Sequence, residues 1–289
     1  MKVGIVVLNY KNYPMTIRCL DSLKALAHAN WEAVVVDNAS GDGSVEFIRA
    51  AHPWVTVLES GGNLGFAKGN EVGYLHFKAR KVTYLWVLNN DAEVDPQALD
   101  LMLERITSDP QIGAVGCKIL DGDQPGRVLT YGGGRFSHFV GRSWHVTHPC
   151  AAESLDFLTG ASLLIPMAVI EEIGFIDDGY FLYFEDADFC AELKRRNFRL
   201  AVAREAVVYH HESATIGRRS LRQHYYLNRS FARFCYRRAP FPLLPLVVGT
   251  SLRVVKRALV GDWAEIRVIL RGIRDGWRLR KEKLAEWTP

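Results

Sequence analysis

The 289-residue sequence lacks a close cysteine pair and lacks an apolar run long enough to span a membrane. Its five cysteines are odd in number and show no C-x-x-C spacing, which argues against a disulfide framework and a cysteine zinc site. Pro242, Pro245 and Arg253 interrupt the apolar C-terminal stretches, well short of the ~20 residues of a spanning helix. The apolar start, residues 3–8, has no cleavage-site pattern. We therefore expect a cytoplasmic chain that does not cross a membrane.

Two nucleotide-binding signatures are also absent. The turn after the first predicted strand, residues 9–14, contains no G-x-G-x-x-G, which disfavours a dinucleotide cofactor there. The sequence has no G-x-x-x-x-G-K-[ST] either, which excludes a P-loop NTPase.

The charge is unevenly distributed along the chain. Residues 216–289 hold 17 Lys and Arg against 5 Asp and Glu, although the net charge of the whole chain is only +4. A basic C-terminal region on an acidic body predicts an anionic partner, namely phospholipid, a pyrophosphate-linked substrate or nucleic acid. The simpler alternative is a solvated basic face.

The first half of the sequence alternates strand and helix patterns. Compact valine-rich runs, apolar on both faces, predict buried strands at Val3–Asn9, Ala33–Asp37, Val55–Glu59 and Leu85–Leu88. Helix-length segments lie between and after them at Pro14–Ala27, Ser44–Ala51, Phe66–Phe77 and Pro96–Thr107, and Asp95 is the expected N-cap of the last. We predict an α/β fold with a doubly wound, mostly parallel sheet over residues 1–215 and a basic helical extension over residues 216–289.

In the second half of the sequence, strand and helix patterns alternate less regularly. We predict strands at Ile112–Ile119, Phe157–Ile165, Leu200–Val202 and Val207–Tyr209, an edge strand or loop at Tyr131–Phe136, and helices at Pro166–Ile173 and Asp186–Arg196. After Gly217 the pattern is helical to the end.

Polar residues collect where each of the first four predicted strands ends. They are Asn9 and Tyr10, Asp37 and Asn38, the glycine-rich stretch 61–70, and Asn89 to Asp91. Ligands of open parallel sheets bind beyond the carboxyl ends of the strands. The glycine-rich stretch opens a helix, so its N–H groups are suited to a phosphate or a nucleoside.

Two acidic clusters and one histidine pair carry the candidate chemistry. Asp91 at a strand tip is an oxygen ligand suited to Mg²⁺ or Mn²⁺ on a diphosphate. Glu185, Asp186 and Asp188 lie among aromatic residues, and burial of neighbouring like charges raises a pKa toward that of a general base. The alternative is a helix start decorated with acids. His210 and His211 face opposite sides of a strand, so only one of them can join a given site.

Together these stretches resemble the inverting glycosyltransferases of family 2, which have the GT-A fold, and most closely the rhamnosyltransferase-like members. The matching stretches are residues 6–10, 35–40, 63–70, 88–92, 158–161, 174–189 and 208–211. The order and spacing agree over roughly residues 3–235, and the motifs are specific as a set.

The resemblance implies a role for each matching residue. Asp37 binds the nucleobase, and Asp186 is the catalytic base with Glu185 as the neighbour that shifts its pKa. Asp91 and His210 hold a divalent metal, Mn²⁺ or Mg²⁺, and Thr215 follows His210 at the expected distance. The remaining expected substrate contacts are Asn9, Tyr10, Gly65, Asn70, Asn90, Gly160 and Asp188. One position departs from the family's D-x-D motif, because Asn89 replaces its first acid.

The resemblance also implies the reaction. A sugar moves with inversion from a nucleotide-sugar donor to a hydroxyl of a glycan or lipid-linked acceptor in cell-envelope polysaccharide synthesis. The subgroup favours dTDP-L-rhamnose as the donor, and UDP- or GDP-sugars remain open, because an aspartate that reads N3–H treats uracil and thymine alike.

The C-terminal region contains an amphipathic pattern. Ile266, Ile269, Leu270, Ile273 and Trp277 form an apolar stripe at helical spacing, and Arg267, Arg271, Arg274 and Arg278 form a second stripe about 100° away. This pattern predicts either a peripheral helix on an anionic membrane or a stripe that packs on the catalytic domain or on the second subunit of a homodimer.

Two other functions compete with sugar transfer. A nucleotidyltransferase that acts on a sugar phosphate needs a basic glycine-rich loop after the first strand, and this sequence lacks one. A nucleic-acid-binding protein uses the basic region but leaves the acidic clusters without a purpose, because they repel phosphate. We therefore expect no nucleic-acid partner.

Overall fold

The computed structural model describes residues 1–211 and 220–278. Thr215 and residues 279–289 of the predicted helical tail lie outside the described residues. The strands, in chain order, are β1 (Val3–Asn9), β2 (Trp31–Asp37), β3 (Thr56–Glu59), β4 (Tyr84–Asn89), β5 (Ala92–Val94), β6 (Ile112–Asp121), β7 (Val128–Tyr131), β8 (Gly133–Ser137), β9 (Arg142–His145), β10 (Phe157–Leu158), β11 (Ser162–Pro166) and β12 (Arg199–His210). The helices are α1 (Tyr13–Lys24), α2 (Ser44–Ala51), α3 (Gly65–Ala79), α4 (Ala98–Thr107), α5 (Met167–Ile173), α6 (Glu185–Arg195), α7 (Leu221–Arg238), α8 (Leu243–Ala258) and α9 (Trp263–Arg278).

One large mixed sheet organises the chain. Its strand order is β3-β2-β1-β4-β11-β6-β12-β5, with β7 also paired to β6. The ladders among β3, β2, β1 and β4 are parallel, β11 runs antiparallel between β4 and β6, and β12 is parallel to β6. A smaller antiparallel sheet has the order β10-β8-β9. The predicted α/β fold with a helical C-terminal region is therefore confirmed.

Strand β1 shows why its sequence is apolar throughout. Val3, Ile5 and Val7 belong to the core layer on one face of the sheet, and Val6 belongs to the layer on the other. Gly4 lies under the ring of Phe77, where a Cβ atom would come within 2.6 Å of the ring carbon Cδ2. A side chain at this position would force α3 away from the sheet. Burial on both faces is the environment of a strand in a covered parallel sheet.

Several predicted boundaries were wrong. Phe157–Ile165 is two strands, because β10 pairs with β8 whereas β11 pairs with β4, and residues 159–161 turn between them. The two strands predicted at 200–202 and 207–209 are one strand, β12, with an irregularity between Ala203 and Val207. Asp95 is not an N-cap. Its carboxylate accepts the N–H of Gln97 at 3.0 Å, and α4 starts only at Ala98.

The apolar stripe of α9 packs within the chain. Ile266 and Ile269 are buried, and Ile273 and Trp277 pack against the core, whereas Leu270 is half exposed. Gly276 allows close approach of the backbone of α7, because a Cβ atom there would lie 2.9 Å from the carbonyl carbon of Arg229. The stripe thus packs within the chain, on the side of α9 that faces α7 of the same C-terminal region. Over residues 1–211 and 220–278 we find no helix with the length and apolar character needed to cross a membrane.

Candidate active site

Asp37 is held rigidly at the end of β2. Its Oδ1 accepts hydrogen bonds from the amide of Asn9 at 2.7 Å and from the hydroxyl of Ser40 at 2.6 Å, and its Oδ2 accepts the N–H of Ser40 at 2.9 Å. Thr16 donates to the amide oxygen of Asn9 at 2.7 Å. Asn9 has no exposed surface, so it shapes the pocket by fixing Asp37. A carboxylate has about four acceptor positions, so Oδ2 keeps capacity for another donor.

Hydrogen bonds from the side chain of Asn38 and from backbone N–H groups connect the glycine-rich loop to neighbouring segments. Asn38 donates to the carbonyl of Gly65 at 3.1 Å and accepts the N–H of Leu64 at 2.9 Å. The φ of Gly65 is +77°, a region that favours glycine, and the next N–H, of Phe66, donates to the carbonyl of Phe181 at 2.7 Å. The loop after β3 is thus attached to the segment before α6.

Asn70 lies one turn into α3 and is fully buried. Its Nδ2 donates to the carbonyl of Phe66 at 2.9 Å, whereas its Oδ1 has no hydrogen-bond partner among the described residues. Asn90, at the end of β4, donates to the hydroxyl of Thr16 at 3.0 Å. The ends of β1, β2, β3 and β4 therefore form one connected polar edge.

The pairing of β5 with β12 brings together the two predicted metal ligands. In this register His210 lies opposite Ala92, and its Nε2 is 2.9 Å from Oδ1 of Asp91. The amide nitrogen of Asn89 lies 3.3 Å from the same ring nitrogen. His211 points the other way, with its ring nitrogens 2.7 Å from Glu93 and 2.8 Å from Asp123. The structure thus separates the two histidines, as the strand geometry predicts.

The donor atoms at Asp91 and His210 suit a divalent metal. A carboxylate oxygen and an imidazole nitrogen are acceptable ligands for Mn²⁺, and Mg²⁺ is commonly held by one or two carboxylates together with substrate phosphates. Among the described residues no group of three or more His, Cys, Asp or Glu is arranged to hold a metal. The pair therefore fits a metal whose remaining ligands come from a bound diphosphate.

Asp186 occupies the start of α6 and is fixed by backbone donors. Its Oδ2 accepts the N–H of Gly160 at 3.0 Å and its Oδ1 accepts the N–H of Ala187 at 2.7 Å. Burial raises the pKa of Asp186, and the two N–H groups oppose that effect only in part. Burial, reinforced by the charge of Asp186, raises the pKa of Glu185 well above its ordinary value.

The two neighbouring acids therefore have different roles in the pair. Oε2 of Glu185 is buried without a hydrogen-bond partner, whereas both oxygens of Asp186 accept N–H groups. Hydrogen bonds to the ionised form favour that form. The pKa of Glu185 is therefore raised more than that of Asp186, so that Asp186 is the more readily ionised member of the pair.

Asp188 has a different environment from the one we expected. Arg238 donates to it at 2.7 Å and Arg237 at 3.1 Å, and the hydroxyl of Tyr180 donates at 3.0 Å. Burial raises the pKa of Asp188, but the two guanidinium groups together outweigh burial, so that the net pKa is lowered. We expected Asp188 to contact substrate, whereas in the structure its carboxylate anchors α7 to α6.

The turn at residues 159–161 connects the acids to the metal pair. The carbonyl of Ala161 accepts the N–H of Asn89 at 3.0 Å, and the N–H of Gly160 binds Asp186. Gly160 also lies against the ring of Phe66, which is 3.4 Å from where its Cβ would be. Asn89, Asp186 and Phe66 of the glycine-rich loop thus surround one short segment.

Arg222 is a candidate site residue that the sequence reasoning missed. Its guanidinium lies 5.8 Å from the ring centre of Tyr226 and 6.0 Å from that of Phe181. Burial raises the pKa of Tyr10, but a hydrogen bond from Asn63 and the charges of Lys11 and Arg222 outweigh it and lower the pKa. Arg222 pairs with no acid among the described residues. The sequence offered only its basic neighbourhood as a signal, because the aromatic residues around Arg222 come from distant segments.

The sequence matches two families. The family described as "Glycosyl transferase family 2" matches residues 4–148, and "Glycosyl transferase family group 2" matches residues 84–271. Among curated proteins, N-acetylglucosaminyl-diphospho-decaprenol L-rhamnosyltransferase of Mycobacterium tuberculosis is 26% identical over 237 residues, which cover 74% of this chain and 77% of that protein. The low-salt glycan biosynthesis hexosyltransferase Agl10 of Haloferax volcanii is 23% identical over 219 residues, covering 73% and 67%.

Solved structures show the same fold. Mannosyltransferase PcManGT from Pyrobaculum calidifontis, in complex with GDP-Man and Mn²⁺, has a TM-score of 0.62 at 17% identity, over 94% of this chain and 79% of that chain. Residues 1–349 of TarS from S. aureus give a TM-score of 0.60 at 15% identity, over 96% and 80%. These likenesses confirm that the α/β sheet is of the GT-A type.

Proposed function

Because the chain belongs to glycosyl transferase family 2, we propose that it is an inverting, metal-dependent transferase whose site is the polar edge from Asp37 to Asp186. The general activity of the chain, sugar transfer, is established. It is a glycosyltransferase that transfers sugar in glycan biosynthesis. Membership of this family sets aside the nucleotidyltransferase and the nucleic-acid-binding alternatives.

A single observation carries the proposal. The turn at residues 159–161 binds Asp186 through the N–H of Gly160 and binds the end of β4 through the carbonyl of Ala161. A base and a group that holds the leaving diphosphate must lie on either side of the sugar's anomeric carbon. This turn links the proposed base, Asp186, to the end of β4, where the group that holds the diphosphate is proposed to lie.

The transfer is a single displacement in which Asp186 is the general base. The ionised carboxylate takes the proton of an acceptor hydroxyl as that oxygen forms a bond to the anomeric carbon. The bond from that carbon to the diphosphate oxygen breaks, and its electron pair leaves with the nucleoside diphosphate. Attack from the face opposite the leaving group inverts the configuration. Glu185 binds its own proton more tightly than Asp186 does, so Asp186 is the carboxylate that takes the proton of the hydroxyl.

The leaving group lies on the side of Asp91 and His210. These two residues would hold Mn²⁺ or Mg²⁺, and the bound metal would neutralise the charge that develops on the diphosphate. Arg222 supplies a second positive charge near Tyr10. Asn89 supplies no carboxylate where the family motif has an acid, so the protein offers the metal one ligand fewer, and Arg222 would supply positive charge for the diphosphate in addition to the metal.

The relatives support one choice of donor and acceptor. The rhamnosyltransferase relative supports dTDP-L-rhamnose as donor and a lipid-linked acceptor in cell-envelope polysaccharide synthesis. UDP- and GDP-sugars are the alternatives, and Asp37 is the residue proposed to read the base. We further propose that the protein works as a peripheral protein at the cytoplasmic face of the cell membrane, where such an acceptor resides.

The test is a screen of the purified protein against dTDP-, UDP- and GDP-sugars. The measurement is release of the nucleoside diphosphate in the presence of a lipid-diphosphate acceptor, with Mn²⁺ and with a chelator. We expect release from one donor class only, and only with the divalent metal. Release that persists in the chelator would contradict the metal-dependent mechanism.

A further inference from the structure

Helix α8 exposes an apolar surface to solvent. The sequence from Ala239 to Leu252 contains no charged residue. Leu243, Val247, Leu252 and Val255 are each more than half exposed, and the surface continues into the following turn at Leu259, 82% exposed, and Trp263, 61% exposed. We call these six residues the α8 face. Soluble monomers rarely expose a contiguous apolar area of this kind without a use for it.

The opposite side of α8 is fixed to the rest of the chain. Gly249 lies against the turn between β8 and β9, where a Cβ would be 2.9 Å from the carbonyl of Val140. Arg253 lies over the ring of Phe231 in α7, 4.1 Å from its centre, and donates to the carbonyl of Gly141 at 3.4 Å. The helix is therefore apolar toward solvent, and its inward side is packed against the rest of the chain.

Positive charge surrounds the α8 face. Between residues 239 and 278 the chain has seven Lys and Arg and three Asp and Glu. Two of the acids bind arginines, Glu265 to Arg257 at 2.7 Å and Asp275 to Arg274 at 2.9 Å, and the third, Asp262, accepts the N–H of Glu265 at 3.0 Å. Lys256 and Arg267 are exposed and pair with no acid among the described residues. The net character of the rim is basic.

We propose that the α8 face docks on the surface of an anionic lipid bilayer, with its apolar side chains in the headgroup boundary and Lys256 and Arg267 on lipid phosphates. Apolar side chains beside basic ones are the requirement for an interfacial helix, and tryptophan favours this boundary. The apolar stripe of α9, by contrast, is used for packing on α7. The inference deepens the proposed function, since it rests on an acceptor that is itself held in a membrane.

The charges favour a bilayer over a second copy of this chain. A two-fold interface places the same patch against itself. It would bring the Lys256 and Arg267 of one copy close to those of the other, and like charges in contact are unfavourable. Anionic headgroups present the opposite charge to the whole rim.

The α8 face is structurally connected to the proposed site. Helix α8 rests on the β8–β9 turn, β8 pairs with β10, and β10 leads directly into Gly160, which binds Asp186. A bilayer bound at α8 would therefore fix the orientation of the sheet that carries the base. This arrangement suits an acceptor whose sugar projects from a lipid.

The test measures binding of the full chain to vesicles by flotation. The vesicles contain phosphatidylcholine alone or phosphatidylcholine with phosphatidylglycerol. We expect binding to the anionic vesicles, and the double substitution Val247→Glu with Leu252→Glu should weaken it by about tenfold or more. Leu75→Glu is the matched control, because Leu75 is an exposed leucine on α3 and its replacement should leave binding unchanged. Lys256→Gln with Arg267→Gln should remove the preference for phosphatidylglycerol.

Three results would overturn the inference. They are wild-type protein that does not float with anionic vesicles, equal weakening by Leu75→Glu, and a wild-type dimer that Val247→Glu with Leu252→Glu converts to a monomer. Binding of nucleoside diphosphate, measured on the same samples, separates this failure from failure of the proposed function. The substituted residues lie outside the donor site, so that binding should be unchanged in every variant.

Discussion

Nε2 of His210 lies 2.9 Å from Oδ1 of Asp91, although 119 residues separate them in the chain. The pairing of β5 with β12 creates this proximity. We propose that the two side chains share one task, which is to hold the metal on the donor diphosphate. Shared tasks give non-additive mutational effects.

Asp91→Ala and His210→Ala should each lower the Mn²⁺-dependent affinity for nucleoside diphosphate by more than ~10–100-fold, the effect of losing residues that only support a metal ligand. The double mutant should be little worse than either single mutant. Calorimetric titration with and without a chelator measures this. His211→Gln is the control, since His211 faces away from Asp91. Fully additive losses would show that the two residues act separately.

Arg222→Gln should weaken the binding of a nucleoside diphosphate without weakening the binding of the nucleoside alone. A charge-assisted hydrogen bond contributes ~1.5–3 kcal/mol, so we expect about a tenfold or greater loss of affinity for nucleoside diphosphate. Affinity for the nucleoside alone should be unchanged. Arg267→Gln, an exposed arginine on α9, is the matched control. Equal affinity of wild type and Arg222→Gln for the diphosphate would remove Arg222 from the site.

Asp188→Ala tests the anchor between α6 and α7. Removing one partner of a buried ion pair costs ~3–5 kcal/mol, and we expect that loss in the free energy of unfolding measured with urea. Because the pKa of Asp188 is lowered, its ionised form stabilises the fold at pH values above the ordinary pKa of aspartate. The difference from wild type should therefore shrink as the pH falls through the lowered pKa. A raised KM with unchanged stability would instead support the substrate contact that the sequence predicted.

Glu185→Gln should show the opposite dependence on pH. Burial raises the pKa of Glu185, so the native state holds this proton more tightly than the unfolded chain does. Wild-type stability due to this group is present at low pH and is lost as the pH rises through the raised pKa. Glutamine cannot ionise, so the melting temperature of Glu185→Gln relative to wild type should increase with pH. A difference that is constant with pH would show that folding does not raise the pKa of Glu185.

Local patterns were sufficient to predict much of the fold. The valine-rich runs at β1, β2 and β4 have the composition of strands buried on both faces, and the polar residues that follow them lie at one edge of the sheet. The break at Gly160 was not predictable, because residues 157–165 are apolar on both sides of it and only the pairing partners differ.

Long-range pairing explains what the sequence reasoning missed at the site. The contacts of Asp188 with Arg237 and Arg238 join residues 49 and 50 positions apart, and no spacing rule reveals them. The stripe on α9 was ambiguous for a different reason. Packing on a neighbouring helix and binding to a bilayer demand the same apolar periodicity.

A single variant can test whether Asp186 is the base. Asp186→Asn keeps the size of the side chain and removes its basicity. Affinity for the donor should stay near that of wild type, while the rate of sugar transfer at saturating donor falls by ~10²–10⁴-fold, the usual contribution of a general base. The melting temperature should fall only by the loss of one hydrogen bond, because the amide can accept just one of the two N–H groups that Asp186 binds. A transfer rate close to wild type in Asp186→Asn, with the donor bound, would contradict the account.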